Sequence, residues 1–242
     1  MKRKFELLCL FAVIFAQLGF LAENCVRVVY YGIIDNRYHF LPFIGIYGLI
    51  PFALTIVGNP DELSFFGHKI FKNNNKVSIV LSNILYLLII CLAVAVGEIA
   101  IGTTYEALAH VKLWDYSDER FHITSYTSLL SISGYGIGAF IITKIFFPIY
   151  NKLLKSDSMN FKVYKYIYLV LVIDMIVMML KTAITKSKPI YYSFNLGNKF
   201  LSILLLLLIS IAVLSIVILI PYFISKKRSI KKLNNTQVET HE

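Results

Sequence analysis

Six stretches of this chain are too long and too apolar to belong to a water-soluble core. They cover residues 5–22, 40–57, 77–98, 129–149, 163–180 and 200–224, and the last contains no charged residue. A run of roughly 20 apolar residues crosses a bilayer core of about 30 Å as a helix. Lipid offers no partner to a backbone N–H or C=O, so such a run must bond within itself. The sequence therefore predicts an all-α, polytopic transmembrane helix bundle of about six spans over residues 1–224. A polar cytoplasmic tail follows at 225–242. The third run stays largely apolar to Ala109, which is longer than a bilayer needs, so its end is expected to project beyond the membrane or to bend at Gly97 or Gly102. Residues 5–22 follow Lys2, Arg3 and Lys4 as a signal peptide would, but cleavage after Ala22 would put bulky Phe20 at the third position before the cut. This run is expected to be a retained helix.

Charge sets the expected orientation. Only 16% of residues are charged, against about 25% in soluble domains. The net charge of +10 lies mainly between the apolar runs, where topology accounts for it better than nucleic acid does. With the N-terminus inside, the inner segments hold 15 Lys and Arg and the outer segments 8. That bias predicts a multi-pass protein of the cell membrane with both termini cytoplasmic. The loop at 181–199, with four lysines, dissents. Cys9, Cys25 and Cys91 form neither a Cys-x-x-Cys pair nor a zinc spacing. No metal, cofactor or nucleic-acid partner is expected, and no catalytic residue is assigned.

The most specific segment is Leu113-Trp114-Asp115-Tyr116-Ser117-Asp118, followed by Arg120-Phe121-His122-Ile123. Trp and Tyr suit the membrane interface, and an Asp-Tyr-Ser turn suits a helix start, so an anchor or a cap would each explain it. Three elements together resemble the putative ABC-transporter type IV family, the CmpB-like membrane proteins. They are Gly19-Phe20-Leu21-Ala22-Glu23, Glu98-Ile99-Ala100-Ile101-Gly102 and Trp114-Asp115-Tyr116-Ser117, with Tyr135-Gly136 where the family often has Trp-Gly. The resemblance covers about residues 10–150. The family's Asn-Gly-Arg is here Thr124-Ser125-Tyr126, and its preceding Asn is His122. The resemblance implies a transporter permease. Because the chain carries no phosphate-binding Gly-rich loop, ATP would have to be handled by a separate ATPase subunit.

The chain also resembles itself. Glu23, Arg37-Tyr38-His39-Phe40 and Tyr47-Gly48 recur in order as Glu98, Arg120-Phe121-His122-Ile123 and Tyr135-Gly136. This suggests a parallel repeat of a two-helix unit in spans 1–4. It would gather Glu23, Arg37, His39, Glu98, Arg120 and His122 near the outer face, with Trp114, Asp115, Tyr116 and Ser117 beside them. Glu with Arg makes a structural clamp, whereas Glu with His makes a proton or metal site; both readings stand. Inside the spans, Lys144 and Asp174 are expected to pair with each other, or Asp174 to be functional by itself. Gly134 and Gly138 form a Gly-x-x-x-Gly face suited to close helix packing. Three functions fit: a permease component, a non-catalytic scaffold or regulator, and a lipid-acting enzyme. The last lacks a nucleophile–base pair of recognisable spacing.

Overall fold

The computed structural model describes residues 2–71, 75–156 and 160–239. Helices carry most of them: α1 Lys2–Tyr31, α2 Ile50–Val57, α3 Lys76–Ala109, α4 Leu129–Lys155, α5 Lys162–Thr185 and α6 Lys199–Glu239. Three two-stranded ribbons close the loops. Strand β1 Ile34–Asp35 pairs with β6 Ser193–Phe194, β2 Ser64–Phe65 with β3 His68–Lys69, and β4 His122–Thr124 with β5 Thr127–Ser128. The chain is all-α with local ribbons, as the apolar runs predict. Residues 225–239, expected as a polar tail, continue α6, and residues 240–242 of that tail lie outside the described residues.

Among the described residues, five helices, not six, are long and apolar enough to cross a membrane: α1, α3, α4, α5 and the Lys199–Leu219 part of α6. The exception is the run at 40–57. It folds as a bent stretch, in which Phe43 N–H donates to Leu41 O at 2.8 Å, then a 3-10 turn over Gly45–Leu49 and the eight-residue α2. The cause is in its composition. Pro42, Gly45, Gly48 and Pro51 interrupt a segment that hydropathy alone reads as a span. Pro51 sits in the first turn of α2, where a missing N–H costs nothing, and Gly58 ends the helix at a positive φ of 77°.

The chain divides into two compact units. The first comprises Met1–Gly48, Leu153–Met175 and Ile190–Glu242. Its centre is α1, with 72% of its most apolar window buried. Phe20, Val28 and Ile34 pack with Ile44 and Leu206, while Val13 and Ala16 pack with Phe43 and Leu171. Irregular backbone inside a membrane protein must be covered by protein and bonded there. Accordingly, Ile44 N–H donates to Ala16 O at 3.0 Å, and Tyr47 N–H to Ile44 O at 3.1 Å. Gly48 permits the closest approach, since a Cβ there would lie 3.0 Å from Ala12 O and strike the Tyr168 ring. Gln17 Nε2 ties α1 to α6 by donating to Ser210 Oγ at 3.2 Å.

The second unit comprises Leu49–Lys152 and Ile176–Pro189. Its α3 presents Val80, Leu81, Ile84, Leu88 and Leu92 as exposed apolar side chains, the surface a helix offers to lipid. Asn75 caps α3 by accepting from Ser78 N–H at 2.8 Å. The 58–71 segment is fastened to α3 and α4. Ser82 Oγ donates to Pro60 O at 2.7 Å and accepts from Leu63 N–H at 2.9 Å. Asp61 Oδ1 accepts from Asn83 Nδ2 at 2.9 Å and from Lys144 Nζ at 2.5 Å.

The Gly-x-x-x-Gly expectation is corrected by the packing of α4. A Cβ added at Gly134 or Gly138 meets nothing within 4 Å, whereas at Gly136 it would collide with Cys91 Sγ of α3. The face that meets α3 is thus offset from the one the motif marks. Gly136→Leu is expected to destabilise the protein by about 1–3 kcal/mol through overpacking, with Gly134→Leu near neutral. Thermal unfolding in detergent checks this; equal losses for both variants would contradict it.

Candidate functional site

In the first unit, charged side chains from α1, the 32–40 loop and α5 form one connected cluster. Glu23 sits in the C-terminal third of α1. Its Oε2 accepts from Arg37 Nε at 2.8 Å and Nη2 at 2.5 Å, and its Oε1 accepts from Tyr47 OH at 3.1 Å. Arg27 Nη2 pairs with Asp35 Oδ2 at 2.8 Å. Asp35 Oδ1 accepts from Arg37 N–H at 2.9 Å. Asn24, fully buried, receives the Asp35 N–H at 2.9 Å. Asn36, also fully buried, donates to His39 O at 3.0 Å and accepts from Tyr191 N–H at 3.1 Å. These bonds hold Arg37 and Tyr38 at positive φ of 47° and 67°, a conformation that costs non-glycine residues energy and persists only where surroundings impose it.

Asp174, midway along α5, anchors the start of the broken segment. Its Oδ1 accepts from Phe40 N–H and its Oδ2 lies against His39 Nδ1, both at 3.1 Å. Burial pushes the His39 imidazole below its ordinary value of 6.5. The Asp174 and Glu23 carboxylates oppose that shift, and Arg37 adds to it. Neutral His39 then donates Nδ1–H to Asp174. Burial also acts to lower the Arg37 guanidinium, but Glu23 and Asp35 outweigh it, and Arg37 ends above its ordinary value.

The second unit treats its carboxylate differently. Glu98 of α3 accepts hydrogen bonds from Thr127 Oγ1 and from Ser131 Oγ, the latter at 2.8 Å. Arg120 does not reach it. That guanidinium is exposed and lies 5.4 Å from the Phe121 ring centroid. His122 is exposed, with Nδ1 2.8 Å from Glu119 O. Trp114 Nε1 donates to Tyr126 O at 2.7 Å, and Tyr116 N–H to Ser125 O at 2.8 Å. Asp115 Oδ1 receives Ser117 N–H at 2.9 Å and Ser117 Oγ at 2.6 Å, and Oδ2 receives Lys112 Nζ at 2.9 Å. Those donors hold the Asp115 carboxyl well below the usual range. Trp114, Asp115, Tyr116 and Ser117 therefore build a turn that clasps the β4–β5 ribbon.

Within each unit, the Glu, Arg and His of the proposed repeat take different partners. Glu23 takes Arg37, Glu98 takes hydroxyls, and His39 takes Asp174. Lys144 and Asp174, expected to pair, each find a partner within their own unit. Lys144 reaches Asp61, and Asp174 reaches His39. Among the described residues, no cluster of His, Cys, Asp and Glu has a metal-binding arrangement. What the two units share is a device. A glycine one turn from each Glu lies against a Tyr ring from the following segment: Gly19 against Tyr47, and Gly102 against Tyr126. The order is reversed, however, since Gly19 precedes its Glu and Gly102 follows it. Thr127 and Ser131 escaped the sequence reading because each is a common residue in an ordinary context, whereas Tyr47 entered it only as part of the Tyr-Gly pair of the repeat. Only the spacing of Gly19 and Gly102 from the two glutamates hinted at a buried partner.

The two glutamates of the Gly-Phe-x-x-Glu and Glu-x-x-x-Gly elements thus each hold a loop to a helix, and Trp-Asp-Tyr-Ser holds its own loop to the β4–β5 ribbon. The family described as putative ABC-transporter type IV matches residues 10–185. The chain belongs to that family. The match reaches through α5 and so takes in Asp174, beyond the end at about residue 150 that the motifs alone suggest. No curated protein and no solved structure matches the chain.

Two outcomes follow from this geometry. Glu23→Gln strands Arg37, and its expected cost is about 2–4 kcal/mol, with part of that loss recovered in Glu23→Gln/Arg37→Met. A double variant less stable than either single one would refute the clamp. The second concerns acid. His39 binds its proton less readily folded than unfolded, so stability should fall as pH drops below about 6.5 through the folded value. His39→Gln should flatten that slope in a pH series of unfolding curves.

Proposed function

We propose that this protein is the membrane-embedded permease subunit of an ABC-type transporter whose ATPase is a separate polypeptide. Membership of the family over 10–185 carries this reading, and the apolar, lipid-ready faces of α3 to α6 support it. The chain contains no Gly-x-x-x-x-Gly-Lys loop of its own. A partner could engage the β2–β3 ribbon. Phe65 and Phe66 stand 44% and 74% exposed at its tip, while its base is fixed to α3 and α4 through Asp61 and Ser82. A rigid apolar projection suits a protein partner better than a solvated loop does.

The positive-charge bias supports cytoplasmic termini in the cell membrane. Five helices alone would put the ends on opposite sides, so this orientation requires 41–57 to complete a crossing. The 3-10 turn and α2 supply about 22 Å against a core of about 30 Å, which leaves the bent residues 41–44 to make up the rest. A second reading, a scaffold or regulator without transport, is favoured by one observation: Glu23, Arg37 and Asp174 are each bonded to partners within the chain.

Affinity purification from native membranes in mild detergent, with mass spectrometry, separates the readings. A stoichiometric ATPase subunit is expected to co-purify and to be lost with Phe66→Asp. A homogeneous chain carrying no ATPase would remove the ATP-driven reading in favour of the scaffold.

A further inference from the structure

We propose that the end of the first unit where α1 and α5 begin is a binding surface for anionic phospholipid headgroups. The inference needs only the membrane setting and does not depend on transport or on an ATPase partner.

Four helices contribute to this end. Arg3 of α1 donates from Nη2 to Leu153 O, near the end of α4, at 3.4 Å. Its guanidinium lies 5.4 Å from the ring centroid of Phe161, the residue before α5. Tyr164 OH of α5 donates to Ile218 O of α6 at 3.4 Å. These contacts bring Lys2, Lys4, Lys155, Lys162 and Lys165 to one end of the unit. Four of them are exposed, and Lys165 is half-buried with its Nζ 4.6 Å from the Tyr166 ring centroid. Beyond Ile218 α6 continues as a helix, and five of its seven residues from 226 to 232 are Lys or Arg.

Charge here is unbalanced. Among the described residues, none of those five lysines makes an ion pair. Glu6 is the one carboxylate among the described side chains at this end, and it is buried. At the other end of the same unit Arg27 has Asp35 and Arg37 has Glu23. The complement to the lysines therefore has to come from outside the chain. Orientation by positive charge accounts for lysines anywhere in a flanking loop. It does not account for their gathering around exposed aromatic rings.

Those rings set the level and favour one partner. Phe5, Tyr166 and Phe223 are 52%, 59% and 60% exposed. Phe5 opens the first apolar run, Tyr166 lies in the second turn of α5, and Phe223 stands at the end of the last run. That is the depth at which hydrocarbon gives way to headgroups. Aromatic rings seat there, while lysine stems lie along apolar surface and their ammonium groups reach outward to phosphate. A water-soluble acidic protein would match the lysines and leave the rings unused. An anionic leaflet meets both, and its attraction grows with each Lys or Arg held close to the surface.

The test uses the full chain purified in nonionic detergent and titrated with phosphatidylglycerol or with phosphatidylcholine of the same acyl chains. Phosphatidylglycerol is expected to raise the thermal midpoint by about 2–5 °C more than phosphatidylcholine at about 50 mM NaCl, and to lose most of that advantage at about 500 mM. In Lys4→Gln/Lys162→Gln/Lys165→Gln, the half-maximal shift should need about ten- to a hundredfold more phosphatidylglycerol. Lys76→Gln/Arg120→Gln/Lys186→Gln removes as much charge from the second unit and should leave the titration unchanged. Native mass spectrometry of the same samples counts retained lipid and reads the preference independently of folding stability. Equal responses to the two lipids would overturn the proposal and leave the lysines to an acidic partner. Equal losses in the two triple variants would reduce the effect to net charge, and undiminished retention of phosphatidylglycerol in the first variant would be just as fatal.

Discussion

Charge at membrane depth must be neutralised or bonded by the protein itself, and Asp174 is where this chain meets that demand most directly. Its carboxylate stands midway along α5 and takes the Phe40 N–H and the His39 ring. Those two bonds fix the point where the broken segment enters the first unit. From there Phe43 and Ile44 reach the α1 core, Gly48 lets the backbone pass close to Ala12, and Tyr47 arrives under Glu23. The clamp of Glu23 on Arg37 then closes the loop from the other end. The irregular backbone thus survives inside a membrane protein because its polar groups are committed to α1 and α5.

The second unit meets the same demand by other means. Its ribbon is closed by a Trp–carbonyl bond and an Asp turn, and its buried carboxylate rests on hydroxyls. Both units seat a tyrosine ring on a glycine one helical turn from the glutamate, which brings the loop backbone close to the helix. One is charge-balanced by arginine and the other is not.

Much of the fold was legible in the sequence because membrane residence is a local property. A run such as 200–224 has one way to satisfy its backbone in lipid, and length alone sets its span. The failure at 40–57 was also local in origin. Averaged hydropathy weighs the apolar side chains and overlooks Pro42, Gly45, Gly48 and Pro51, which decide the backbone. The glutamates and the Trp-Asp-Tyr-Ser turn were visible as unusual residues. Their partners were not, because Thr127 and Ser131 look like any other hydroxyl residues.

By itself, the sequence determined the solvent, the helices and the membership of a family, since each depends on residues close along the chain or on motifs repeated in order. Tertiary structure alone decided which charge meets which. His39 bonds Asp174 across 135 positions and Lys144 bonds Asp61 across 83, partners that the depth of Lys144 and Asp174 in their runs did not suggest. An ion pair depends on the final few ångströms between side chains, and those are set by how helices turn about their axes. Gly136, not Gly134 or Gly138, turns α4 toward α3. Helical periodicity shows which residues share a face, but which face turns inward is settled by the packing of the neighbours.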